Sequence, residues 1–169
     1  YHVDGLLSEI LSDSVVLDVR GVGYQVWVPQ AYLKALPKIG ENLKMYTYHH
    51  IREDQETLFG FLTLQEKDFF IRLTSVSGVG PKVAIKIMSE MSVQAVSAAI
   101  LGNDIATLVS LPGVGKKMAE RMIIELKDKL DISTVSMPSF SVTAGINSGY
   151  LDDLSLALKT LGYSKDEIK

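Results

Sequence analysis

Apolar and polar residues alternate with a period of two over the first third of the chain and recur every three or four residues thereafter. Val15, Leu17 and Val19 alternate with Val16, Asp18 and Arg20, and Tyr24, Val26 and Val28 alternate with Gln25, Trp27 and Pro29; Gly21 and Gly23 punctuate between them. A period of two puts one set of side chains on one face of an extended segment, so both stretches predict strands. A further pair, roughly residues 43–51 and 57–62, flanks the polar run Arg52-Glu53-Asp54-Gln55-Glu56, which reads as a hairpin tip. With a short helical piece near residues 30–36, this part of the chain predicts a five-stranded barrel of the OB type.

The period changes at Thr63. Thr63 and Glu66 have the spacing of a capping box, which opens a helix through Phe69, Phe70 and Leu73. Helices continue to about Leu130, with breaks at residues 77–80, near Ser92, at Gly102-Asn103 and at residues 112–115. Residues 131–149 are small and polar, as in a flexible linker, with a reach on the order of 25 Å. Beyond it, Leu151, Leu154, Leu158 and Leu161 mark one helical face ending at Gly162, and Ser164 with Glu167 offers the start of another helix. A segment that short cannot bury a core of its own, so it reads as an incomplete helical module. The expected fold class is therefore mixed and multi-domain: an OB-type barrel over 1–62, an all-α domain over 63–130, a linker over 131–149 and a partial helical domain over 150–169.

Within the helical part, Leu73, Ser75, Gly78-Val79-Gly80, Lys82 and Ala84 recur as Leu108, Ser110, Gly113-Val114-Gly115, Lys117 and Ala119, at a constant offset of 35 residues. Each copy puts Gly-Val-Gly between the apolar end of one helix and the start of the next, the pattern of a helix-hairpin-helix. Glycines permit positive φ and let backbone approach a ligand closely. The amides at the following helix N-terminus then face an anion, helped by the helix dipole. Basic residues follow at once: Lys82 and Lys86 in the first copy, Lys116, Lys117 and Arg121 in the second. Such a hairpin contacts phosphate and not base edges, so it predicts DNA binding with little sequence preference. One copy alone would also read as a glycine helix cap among solvated lysines; the matched second copy argues against that.

Charge narrows where an anion could bind. The net charge of −3 opposes nucleic-acid binding taken as a sum, but residues 64–131 hold nine basic and eight acidic side chains against five and eight in residues 1–63. The site must be local to the helical part. There is no cysteine, and His2, His49 and His50 are too few and too poorly spaced for zinc, so neither a metal nor another cofactor is expected. No run of eighteen apolar residues occurs and no basic stretch leads into an apolar one at the start, so neither a membrane span nor a signal peptide is expected and the expected location is cytoplasmic. The nearest approach to a phosphate-binding loop of an ATPase, residues 110–117, lacks the first glycine and the magnesium-binding hydroxyl, so ATP hydrolysis would come from a partner. A helix-hairpin-helix glycosylase or nuclease remains an alternative, but the acids that follow Gly115 are Glu120, Glu125 and Asp128, and a pair such as Glu125 with Lys129 reads as helix-surface support. A protein-interaction scaffold with capped helices is the other alternative.

The order of barrel, two helix-hairpin-helix units, linker and small helical module resembles the RuvA family, the DNA-binding subunits of bacterial Holliday junction branch-migration complexes. The marks that carry the resemblance are Gly21-Val22-Gly23-Tyr24, Arg52-Glu53-Asp54 with Leu58-Phe59-Gly60-Phe61, Ser77 through Lys82, Leu111 through Lys117, and Ala119-Glu120-Arg121. The resemblance implies a non-catalytic subunit acting in recombination and DNA repair, a homotetramer or octamer on open four-way DNA, and the hexameric ATPase RuvB and the resolvase RuvC as partners. It implies DNA contacts at Gly78, Val79, Gly80, Lys82, Gly113, Val114, Gly115, Lys116, Lys117 and Arg121. It also implies that Glu53 and Asp54 form an acidic pin, whose carboxylates would repel converging backbones and keep the crossover open.

Overall fold

A computed structural model describes residues 1–130; the expected linker over 131–149 and helical module over 150–169 lie outside the described residues. Strands β1 (His2–Ile10), β2 (Ser14–Val19), β3 (Val22–Trp27), β4 (Asn42–Ile51) and β5 (Glu56–Phe61) close a barrel in the order β1-β2-β3-β5-β4, with a 3-10 turn over Gln30–Lys34 between β3 and β4. This is the expected five-stranded OB-type barrel. Val15, Leu17, Val26 and Val28 are fully buried, on the face that the alternation selects, whereas Tyr24, on the same alternation, is exposed near the start of β3. In β1, by contrast, Leu7 is the one fully buried residue and the register slips between Leu7 and Glu9. An extended segment with little buried surface shows no clean alternation, and a bulge breaks what there is. β3 meets β5 in parallel at Val26↔Leu58 and Trp27↔Phe59, while β4 and β5 run antiparallel up to Ile51↔Glu56.

Helix α1 (Leu64–Thr74) starts on the capping box: the Glu66 amide donates to Thr63 Oγ1 at 3.2 Å, and the Thr63 amide donates to the Glu66 carboxylate at 2.9 Å. The box fixes where the helix begins, and so which residue meets the barrel. That residue is Phe70, fully buried, with ring centroids 4.9 Å from Phe61 and 5.4 Å from both Phe59 and Tyr48. Tyr48 and Phe59 are register partners, and Phe61 lies two residues on, so all three rise from one face of β4 and β5. Aromatic clusters of this kind gain about 0.5–1.5 kcal/mol per pair beyond area burial.

The chain then runs through α2 (Pro81–Glu90), α3 (Val93–Leu101), α4 (Ile105–Val109) and α5 (Lys116–Leu126), ending in a 3-10 turn over Lys127–Lys129. Ser92 caps α3 by accepting from the Ala95 amide, and Asp104 caps α4 by accepting from the Thr107 amide and hydroxyl, which hold its carboxyl below the usual carboxylate range. α2 is tied back to the barrel where the Gln30 amide donates to Ser89 Oγ at 3.0 Å. The expected pair of Glu125 with Lys129 does not form. α5 ends at Leu126 and the 3-10 turn changes the angular spacing, while the neighbouring Lys127 donates to Asn103 Oδ1 at 3.1 Å.

Because Phe70 fills the junction between barrel and helices, Phe70→Ala should cost about 3–5 kcal/mol in urea unfolding. Ile124→Ala, at a position 75% exposed on α5, should stay within about 0.5 kcal/mol in the same measurement.

Candidate nucleic-acid interface

The two Gly-Val-Gly segments fold into hairpins of matching geometry. In the first, between α1 and α2, the Val76 amide donates to Leu73 O at 3.1 Å and the Val79 amide to Val76 O at 3.0 Å. In the second, between α4 and α5, the Leu111 amide donates to Leu108 O at 3.2 Å and the Val114 amide to Leu111 O at 3.1 Å. Gly78 and Gly113 turn the chain at φ +94° and +81°, and Gly80 and Gly115 cap the following helices at φ −81° and −89°. The 35-residue sequence repeat is thus a repeat in space. The contacts between copies are reciprocal as well: a Cβ built on Gly78 would lie 3.5 Å from Met118, and one on Gly113 would lie 3.8 Å from Val83, the residue matching Met118. Such exchange of equivalent contacts is what a local two-fold relation produces.

What the hairpins offer to solvent is backbone amide. The amides of Gly78, Gly80 and Lys82, and those of Gly113, Gly115, Lys116 and Lys117, donate to no protein group among the described residues. Each hairpin loses one donor to a proline, Pro81 at the first helical position of α2 and Pro112 in the second loop, where the matching positions carry Lys116 and Ser77. Donors at a helix N-terminus, backed by the helix dipole, suit a phosphate. Lys82, Lys116, Lys117 and Arg121 are exposed around them and form no ion pair among the described residues. Arg121 Nη1 lies 3.5 Å from Ser77 Oγ, so the cation of the second unit sits beside the hairpin of the first, a juxtaposition that a sequence offset of 44 does not reveal.

Val79 and Val114 differ from the other residues expected to contact DNA. Their side chains are 3% and 5% exposed and plug the core beneath each hairpin, and their amides are already spent inside the turn. They hold the loop from beneath, while the glycines and cations around them are exposed.

The roles of the glycines separate by geometry. At Gly78 and Gly113 the positive φ itself demands glycine, whereas at Gly80 and Gly115 φ is ordinary and no atom lies within 4 Å of an added Cβ. The fold therefore has no use for glycine at 80 and 115. A methyl group there would stand in open space above the free amides, where an approaching ligand would meet it.

The tip between β4 and β5 places Glu53 and Asp54 at the end of a turn closed by the Arg52 amide donating to Gln55 O at 2.9 Å. Both carboxylates are exposed, and neither pairs with a cation among the described residues. Arg52 folds back instead, its Nε donating to His50 Nε2 at 2.9 Å, and His49 Nε2 lies 3.2 Å from Glu56 Oε2. The His49–Glu56 pair depends on the register between β4 and β5, which the sequence alone does not print.

Thermal unfolding should sort the four glycines. Gly78→Ala and Gly113→Ala should each destabilise by about 1–2 kcal/mol, the cost of a Cβ in the left-handed region. Gly80→Ala and Gly115→Ala should leave stability unchanged or raise it by up to about 1 kcal/mol through the unfolded state.

Comparison with known proteins places this geometry in a family. Residues 1–60 match the model of the RuvA N terminal domain and residues 70–128 that of the SAM-like Helix-hairpin-helix tandem. The chain is 44% identical over 166 residues to the Holliday junction branch migration complex subunit RuvA of Thermoanaerobacter sp., covering 98% of this chain and 84% of the relative. It is 39% identical over 176 residues to the protein of the same name from Idiomarina loihiensis, covering 98% and 85%, and 39% identical over 170 residues to that of Geobacter sulfurreducens, covering 98% and 83%. With the barrel, the paired hairpins and this similarity along nearly its whole length, the chain belongs to the RuvA family.

Proposed function

We propose that the chain is the DNA-binding subunit of a branch-migration complex, holding a four-way junction open by its phosphates and leaving ATP hydrolysis to a partner. The observation that carries this reading is the pair of matched hairpins, each with free amides at a helix N-terminus and unpaired cations around them. Phosphate contacts fix position on DNA without reading sequence, which suits a protein that must stay bound while the sequence at the crossover changes. On this reading residues 63–130 grip the arms and the barrel over 1–62 carries Glu53 and Asp54 to the crossover as a repulsive pin. Residues 131–149 link to 150–169, which contribute to docking the RuvB motor. Copies of the chain assemble as a tetramer, or two tetramers, around the junction in a form compatible with RuvC. Among the described residues no single helix is long and apolar enough to cross a membrane.

A gel shift comparing a synthetic four-way junction with linear duplex of equal length, run across salt concentrations, tests the proposal. Junction should bind in preference to duplex. An assembly neutralising six to ten phosphates should lose roughly 10³–10⁵ in affinity between about 50 and 200 mM salt. Equal affinity for the two DNAs would contradict the reading.

The double substitution Glu53→Gln with Asp54→Asn tests the pin. Folding should be unaffected within about 0.5 kcal/mol because the tip is exposed. Duplex affinity should rise more than junction affinity, since removing charge relieves repulsion of any backbone that crosses the centre. An unchanged ratio of the two dissociation constants would mean that the tip is a solvated turn.

A further inference from the structure

A cleft of about 580 Å³ lies between the barrel and α2, within the range of about 300–1,000 Å³ that small-ligand sites occupy. Its barrel wall carries Trp27 and Phe59, register partners on β3 and β5. Gln30 and Gln55 line it with side-chain amides that have no protein partner among the described residues. Lys82 and Lys86 line the α2 wall.

The charges are ordered along the cleft. On α2 the lysines occupy the first turns, next to the hairpin, while Glu90 ends the helix eight residues beyond Lys82, about 12 Å at helical rise. An anion is therefore favoured at the hairpin end and opposed at the other, where Asp13 also lines the wall. An aromatic surface, free amide groups and a cation pair at one end are the elements that hold a nucleotide with its base out of a stack.

The location joins two features already described. Gln55 closes the turn that carries Glu53 and Asp54, and Lys82 and Pro112 belong to the two hairpins, so the cleft runs from the acidic tip towards the phosphate-binding loops. We propose that it receives one unpaired nucleotide of a strand turned aside at the crossover, with its base against Trp27 and its phosphate on Lys82 and Lys86. This rests on the junction-binding reading and adds to it a place where a base waits between partners.

Trp27 is the one tryptophan of the chain, so its fluorescence reports on this cleft. The full chain is titrated with a short oligothymidylate and, separately, with a blunt-ended duplex. The oligothymidylate should quench Trp27 saturably and the duplex should not. Lys86→Gln should weaken the oligothymidylate titration about tenfold, the loss of one charge-assisted contact, and Gln55→Ala, at an exposed position, should weaken it in the same direction. No quenching by oligothymidylate, equal quenching by duplex, or titrations unaltered in both variants would overturn the proposal. A junction gel shift on the same parent preparation separates the two readings: junction binding without quenching overturns the cleft alone, and loss of preference for the junction overturns the reading beneath it.

Discussion

A single buried ring, Phe70, couples the part of the molecule that carries the acidic tip to the part that carries the hairpins. It packs on Phe61, Phe59 and Tyr48, all on one face of β4 and β5, and those two strands run directly to the turn bearing Glu53 and Asp54. Going the other way, α1 reaches Val76 and the first hairpin within six residues of Phe70. The placement of the tip relative to the loops is thus set through this close-packed contact together with the Gln30–Ser89 hydrogen bond that ties α2 to the barrel, and close-packed interiors have few alternative arrangements. The capping box at Thr63 and Glu66 fixes the helical phase that brings Phe70 to this place.

From that fixed frame follows a division of charge that a net value of −3 conceals. On the proposed reading, attraction for DNA is built from uncharged amides plus a few cations at Lys82, Lys116, Lys117 and Arg121, concentrated around two loops. On the same reading, repulsion is built from the two exposed carboxylates, Glu53 and Asp54, at a separate tip. A protein covered evenly in lysine would bind duplex anywhere along its surface; local attraction with local repulsion selects a shape. The reciprocal placement of Met118 beside Gly78 and of Val83 beside Gly113 extends the symmetry of the two loops into the packing between them.

Much of this was legible in the sequence where chemistry is local. The capping box, the breaks between helices and the hairpins each depend on residues within a few positions, and each is found where the pattern put it. Alternation showed the strands that bury one face, at 15–19 and 24–28, and was silent on β1, whose single fully buried side chain and bulge leave no pattern to read. The motif drew Val79 and Val114 into the contact set because a sequence cannot say that their side chains turn inward. The proximity of Arg121 to Ser77 and the cleft between Trp27 and α2 are products of tertiary apposition, which no local window contains.

The central claim is that both hairpins hold phosphate, equivalently and without reading bases. The most direct test is the slope of log affinity against log salt for a four-way junction, measured for the parent, Lys82→Ala and Lys117→Ala on junctions of two unrelated arm sequences. The account predicts that each substitution lowers the slope to a similar extent and weakens both junctions alike. A substitution that left the slope unchanged, or that weakened one arm sequence and spared the other, would contradict it.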